Sequence, residues 1–257
     1  MNRIDTLFQQ KQEKILSVYF TAGFPQLNDT CTVLHELQAH GIDMVELGIP
    51  FSDPMADGVV IQQAGQTALN NGMSLALIFE QLQNVRQTIT MPIILMGYLN
   101  PIMQYGFEKF CKSCAATGVD GVIIPDLPFA DYMHSYKAVA EAHGVHVIML
   151  ITPETSEKRV RLIDEHTQGF IYMVSSAATT GAQQCFDEKK QDYFKRINAM
   201  NLRNPRLIGF GVSNKATFDA AISNASGAIV GSKFVQLLEK SNSIKHAVEQ
   251  LINDLNK

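Results

Sequence analysis

Eight short apolar runs punctuate this chain, at residues 16–21, 44–48, 93–96, 121–125, 145–151, 170–174, 207–211 and 228–231, and amphipathic segments of helical period separate them. Those segments fall at 27–40, 74–88, 105–117, 131–142, 155–165, 188–200 and 214–224, with another at 243–256 after the last run. Strand followed by helix, repeated, requires right-handed crossovers and a parallel sheet, and eight such units predict an α/β fold closed into a (β/α)8 TIM barrel. An open, doubly wound sheet competes with this architecture, but the count of eight favours closure. A length of 257 residues, 46% of them hydrophobic, suits one barrel around one core, and no linker or low-complexity tract divides the chain. We therefore expect a single domain over 1–257. The polar segment 2–10, with Ile4, Leu7 and Phe8 on one face, is expected to form a short helix plugging the bottom of the barrel, and further short helices are expected beside the main eight.

In such a barrel, function sits at the C-terminal ends of the strands and in the loops that follow them. Glu46 stands at one of these ends, within an apolar strand, where a carboxylate is costly unless it is paired or its pKa is raised for a task. The strand empties into a loop of turn residues, Pro50, Ser52, Asp53, Pro54 and Gly58, that also carries Asp57. Asp53 and Asp57, taken singly, read first as turn and cap residues; Glu46 does not, because burying an acid for stability alone is unfavourable. Other strand-end candidates are Tyr19 to Thr21, Tyr98 with Asn100 and Pro101, Asp126, Thr152, and Tyr172 with Ser175 and Ser176. Gly209-Phe210-Gly211 closes the seventh strand and Gly231-Ser232 the eighth, each ahead of a helical segment. Glycine admits close approach of backbone N–H groups to an anion, and helix starts add positive dipole ends, so these turns predict a phosphate site. Thr180-Gly181, after the sixth strand, could supply a third set of donors.

A formal charge of −4 offers no electrostatic basis for binding nucleic acid or an anionic membrane, which leaves small-molecule chemistry. Four scattered cysteines, Cys31, Cys111, Cys114 and Cys185, do not form a secreted disulfide pattern, and Cys111 and Cys114 fall within a helical segment with no partner ligands, so no metal site is expected. The seven histidines, also scattered, suggest none. The first residues lack the apolar stretch of a signal peptide and no window is long and apolar enough to span a membrane, so a cytoplasmic location is expected. None of the eight strands carries a lysine, which argues against a Schiff-base aldolase. Sugar-phosphate isomerases and a purely regulatory barrel are the remaining alternatives.

The run from Glu46 through Leu-Gly-Ile-Pro-Phe-Ser-Asp-Pro-Met-Ala to Asp57-Gly58, with Pro125-Asp126-Leu127-Pro128, Tyr172 through Thr180-Gly181, Gly209-Phe210-Gly211-Val-Ser and Gly231-Ser232, resembles the tryptophan synthase alpha subunit family in order and spacing. The resemblance implies a lyase that cleaves indole-3-glycerol phosphate to indole and glyceraldehyde 3-phosphate by a retro-aldol route. It implies that Glu46 is the general acid/base and that Asp57 stabilises the proton on the indole nitrogen. By the same resemblance, Phe20, Ile61, Met96, Tyr98, Tyr172 and Phe210 form the indole wall, and Gly181, Gly211, Gly231 and Ser232 the phosphate cradle. The segment 175–190 resembles a mobile lid, in which Ser176 stands where the family often has Arg and the Thr180 hydroxyl could meet Asp57. No cofactor is implied for this chain. Pyridoxal phosphate (PLP) is expected in a tryptophan synthase beta chain, joined in an alpha2-beta2 heterotetramer that docks on the rim near Asp53-Pro54 and 100–106.

Overall fold

The structure, a computed structural model, describes residues 1–175 and 187–256. Strands β1 (Ile15–Thr21), β2 (Met44–Gly48), β3 (Ile93–Met96), β4 (Gly121–Ile123), β5 (His146–Ile151), β6 (Ile171–Val174), β7 (Arg206–Gly209) and β8 (Gly227–Val230) pair in parallel and in chain order, and β8 returns to β1 to close the barrel. Two strands stop two residues earlier than their apolar runs, and β8 stops one residue earlier. β4 ends where the Leu127 N–H turns back to the Ile124 carbonyl at 3.1 Å, and β7 ends where Phe210 enters left-handed backbone, φ 65°, which cannot continue a ladder.

Side chains alternate across each strand between two cores. One fills the barrel itself, with Ile15, Met44, Ile94, Ile123, Ile148, Phe170, Leu207 and Ile229 buried there; the larger one lies between the sheet and the surrounding helices. Two interior positions must be glycine. A Cβ on Gly48 would lie 2.2 Å from the Tyr19 hydroxyl, and one on Gly209 the same distance from that of Tyr172. Those glycines give up their side-chain volume to two phenol rings that enter the lumen.

The helix Arg3–Gln10 closes the bottom of the barrel as expected. Its Ile4 is fully buried in the interior core, a contribution of about 1.5–3 kcal/mol, and the Phe8 ring packs on Phe170 at 6.0 Å. Asn2 caps the helix through the Ile4 N–H and also donates to the Asp120 and Gly144 carbonyls at 2.7 and 3.0 Å, which ties the plug to β4 and β5. Arg3 and Arg86 both reach Asp120, at 2.9 and 2.6 Å, and Asp5 meets His146 at 2.9 Å.

Three helices have no counterpart among the segments read from periodicity: Val59–Asn70, Leu99–Tyr105 and Ser232–Lys240. Val59–Asn70 has no charged residue, and the positions it buries are Ala64, Gly65 and Ala68. A buried face of small residues has none of the large apolar spacing by which an amphipathic helix is recognised. This helix matters for the site because its first turn borders the pocket.

Candidate active site

A cavity of about 170 Å³ opens at the C-terminal end of the barrel, between Glu46, Asp57, Ile61, Met96, Tyr172, Phe210, Gly211, Gly231 and Ser232. Glu46 reaches it from β2, where it pairs in register with Tyr19 of β1 and Ile94 of β3 and shares their interior face. It is fully buried. Its Oε1 accepts a hydrogen bond from the Ser17 hydroxyl at 3.2 Å, whereas Oε2 has no partner among the described residues. Burial pushes the carboxyl up to about 8, and the Ser17 hydrogen bond works against that rise. Glu46 is therefore a neutral acid at neutral pH.

Asp57 comes from the loop after β2. The Asp57 N–H turns back to the Pro54 carbonyl at 3.2 Å, and the neighbouring Ala56 N–H donates to the Tyr98 hydroxyl at 2.9 Å. Tyr98, packed against Phe51 with ring centroids 5.4 Å apart, also donates to the Asp57 carboxylate. Burial raises Asp57 to about 6 and the Tyr98 hydrogen bond restrains it, so this group is mainly ionised at pH 7. Two acids in one pocket thus differ in protonation because one is sealed in an apolar barrel and the other sits partly exposed beside a hydroxyl donor. Burial and the nearby acids push the phenols of Tyr19 and Tyr172 further up from their ordinary value, so both remain neutral.

The rim carries the glycine turns. Phe210 and Gly211 are consecutive left-handed residues, φ 65° and 84°, and the Ser175 hydroxyl donates to the Phe210 carbonyl at 2.5 Å. A left-handed Phe is strained, and such strain persists where the surroundings hold it; here the turn sets the Phe210 ring edge-on to Tyr172, 6.1 Å between centroids. Gly231 opens the helix Ser232–Lys240, whose first turn has no side-chain cap among the described residues. Its leading N–H groups are thus available to an anion at the pocket edge.

Two expected wall residues are placed elsewhere. Phe20 is fully buried on the outer face of β1, where its ring meets Phe234 edge-on at 6.5 Å; the residue that faces the lumen is Tyr19. A one-residue offset in a strand reverses the side. Tyr98 does not line the cavity; it stands behind Asp57 and orients it. Ile61, Met96, Tyr172 and Phe210 line the cavity as expected, and so do Gly211, Gly231 and Ser232. Thr180, Gly181, Ser176 and Cys185 lie outside the described residues. Asp53 is exposed and receives the Ser52 hydroxyl at 2.5 Å, a turn role, while Asp126 accepts the Leu99 N–H at 2.9 Å at the start of the helix Leu99–Tyr105. Thr152 is held in a turn with Thr155. Val212 and Ser213 of the glycine turn line it too, and Val59, Val60, Ile229 and Lys233 do so without having been singled out; Ile229 could have been found from strand alternation, the residues at the two helix starts could not.

Cys111 and Cys114 are buried in the helix Phe107–Thr117, and burial pushes the Cys111 thiol up to about 12, which makes it inert as a nucleophile. Among the described residues, no group of three His, Cys, Asp or Glu side chains could hold a metal ion, and no helix is long and apolar enough to cross a membrane.

A neutral acid and a carboxylate that face one largely apolar pocket, at the C-terminal end of a closed parallel barrel, support acid/base chemistry on a small molecule, and they define the class as a (β/α)8 barrel of acid/base type. The family model for the tryptophan synthase alpha chain matches residues 6–257. The tryptophan synthase alpha chain of Parabacteroides distasonis is 68% identical over 255 residues, covering 99% of each chain, and that of Bacteroides thetaiotaomicron is 62% identical over 251 residues, covering 98% of each. The crystal structure of tryptophan synthase subunit alpha from Legionella pneumophila superposes with a TM-score of 0.88 at 32% identity, covering 100% of this chain and 99% of that one. The chain belongs to the tryptophan synthase alpha chain family, and it catalyses the alpha reaction of tryptophan biosynthesis.

Proposed function

We propose that Glu46, as a neutral acid, and Asp57, as a carboxylate, carry out the cleavage of indole-3-glycerol phosphate to indole and glyceraldehyde 3-phosphate. The observation that carries this reading is the Oε2 of Glu46, buried without a partner among the described residues in the wall of the pocket that Asp57 also enters. An unpaired buried polar atom costs about 1–3 kcal/mol, and a substrate that uses its proton makes that cost functional. Glu46 donates the proton from Oε2 to C3 of the indole, which becomes tetrahedral, and the positive charge that develops on the ring nitrogen is stabilised by ionised Asp57. Glu46, now a carboxylate, takes the proton of the glycerol hydroxyl adjacent to the scissile bond. The oxygen lone pair forms the aldehyde, the carbon–carbon bond breaks, and its electrons return to the ring to neutralise the nitrogen. Glu46 ends protonated, as it began. Positioned acid/base groups of this kind contribute about 10²–10⁴ in rate each.

Ile61, Met96, Tyr172, Phe210 and Tyr19 would hold the indole, and Gly211, Gly231 and Ser232 the phosphate. The resemblance adds Gly181 to the cradle and Thr180 to the residues around Asp57; both lie outside the described residues. The chain acts as one barrel domain over 1–257, in the cytoplasm, with an alpha2-beta2 partner that holds PLP; this chemistry asks for no cofactor here. The docking face is the rim at Asp53-Pro54 and 100–106. Exposed Met55, Val59 and Met103 on or beside these segments support that assignment, since large apolar side chains grouped at one rim favour an interface. The test is indole release from indole-3-glycerol phosphate by the purified chain and by Glu46→Gln. Near wild-type kcat in Glu46→Gln would remove the acid role.

A further inference from the structure

The pocket's acid is held by a residue with no role in the scheme so far. Ser17 is fully buried in the barrel lumen on β1, in register with Met44, two residues before Glu46 on β2. It thus lies one interior layer below Glu46, towards the plugged end of the barrel. Its hydroxyl is 3.2 Å from Oε1 of Glu46, and it is the one hydrogen bond made to that carboxyl among the described residues, Oε2 having none.

We propose that Ser17 is a positioning residue for Glu46: by donating to Oε1 it fixes the rotation of the carboxyl and confines the acid's proton to Oε2, the oxygen open to substrate. The inference rests on the acid role of Glu46 proposed above. A neutral carboxyl has one carbonyl oxygen, which accepts, and one hydroxyl, which donates. With the Ser17 O–H given to Oε1, Oε1 is the carbonyl and Oε2 the hydroxyl. Without that donor the two oxygens are equivalent, and the proton is carried as readily on the oxygen that faces the floor.

Ser17 also acts on the ionised form. Once the proton has passed to the substrate, a hydroxyl donating to a carboxylate makes a stronger, charge-assisted bond, so Ser17 stabilises Glu46 in the interval before the glycerol hydroxyl returns a proton. The other groups around Glu46 do not duplicate this. β1 also contributes the neutral phenol of Tyr19, β3 contributes Ile94 and Met96, and β6 contributes the phenol of Tyr172. Asp57 adds a negative charge from the loop, with Tyr98 turned to Asp57; Lys233, on the β8 side of the pocket, is engaged by Asp254 at 2.7 Å.

Ser17→Ala removes one oxygen and keeps the small volume the lumen requires. We expect kcat to fall by about 3–10-fold, the loss of one hydrogen bond, and the high-pH limb of kcat/KM to move upward by about 0.5–1 pH unit, since burial then acts on Glu46 unopposed. Titration of ¹³C-labelled glutamate by NMR in the wild-type and Ser17→Ala proteins reads the same displacement directly, without turnover. An upward move of the Glu46 midpoint, matched by the high-pH limb, supports the assignment. A midpoint and limb unchanged by Ser17→Ala overturn it, whatever happens to kcat, because a general packing disturbance lowers turnover without altering that titration. Parallel assay of Glu46→Gln separates the two levels: an active Glu46→Gln enzyme defeats the acid role itself, whereas an inactive one beside a Ser17→Ala enzyme of unaltered profile defeats the Ser17 assignment alone.

Discussion

Burial is complete at Glu46 and partial at Asp57, and from that difference the pH dependence follows. In the proposed scheme turnover needs Glu46 protonated and Asp57 ionised. With Asp57 raised to about 6 and Glu46 to about 8, kcat/KM should be bell-shaped. Activity is lost as pH falls through about 6, where Asp57 takes up a proton, and again as pH rises through about 8, where Glu46 gives one up. Asp57→Asn should cut kcat by about 10²–10⁴ and abolish the acid limb; steady-state rates across pH 5–9 check both. A second expectation separates neighbours on β1. Phe20→Ala should cost about 3–5 kcal/mol in urea unfolding with KM unchanged, because its ring belongs to the outer core. Tyr19→Leu should instead raise KM by about 3–10-fold, as its ring borders the pocket. The opposite pattern would put Phe20 back in the indole wall.

At the level of elements, the two glycine turns invite different substitutions. A Cβ on Gly231 would have the Tyr19 Cβ as its nearest neighbour at 3.6 Å, ordinary contact, and its φ of −116° lies outside the left-handed region. Gly231→Ala should therefore fold normally and still weaken glycerol phosphate binding, by about tenfold if the methyl intrudes on one donor. Gly211 sits at φ 84°, so Gly211→Ala should lose about 1 kcal/mol or more of stability as well as affinity. Isothermal calorimetry and thermal unfolding of the pair decide it: unchanged affinity in both variants would remove the cradle from these turns. The helix Val59–Asn70 shows why this level was only partly legible. Motif residues on either side of it were evident in the chain, yet a helix that buries Ala64, Gly65 and Ala68 leaves no periodic trace.

For the molecule as a whole, the proposed beta-chain partner is tested by association. Mixed with the beta chain of the same source, this chain should co-elute as a larger species and each should activate the other. Met103→Glu, on a half-exposed methionine of the proposed docking rim and away from the cavity lining, should weaken that association while leaving indole release by the isolated chain intact. Sedimentation of the mixture is the check, and unaltered association would move the interface off this rim.

Eight apolar runs in alternation with helices were enough to imply the barrel, because a parallel sheet buried on both faces needs continuous apolar strands and closure needs eight of them. The anomalous acid in the second strand and the glycines after the last two were equally plain, since each breaks a local rule that packing alone would not break. The side each residue faces was not plain. In β1 both neighbours, Tyr19 and Phe20, are large and apolar, so no alternation marks the lumen until the register with Glu46 is known. Tyr98 shows the same limit: its ring suits a wall, and its place behind Asp57 comes from a loop folding back over 42 residues of chain. The protonation states, too, belong to the tertiary structure. Glu46 and Asp57 are ordinary acids in the unfolded chain, and it is the closed, plugged barrel that strips water from one more than from the other and so divides acid from base.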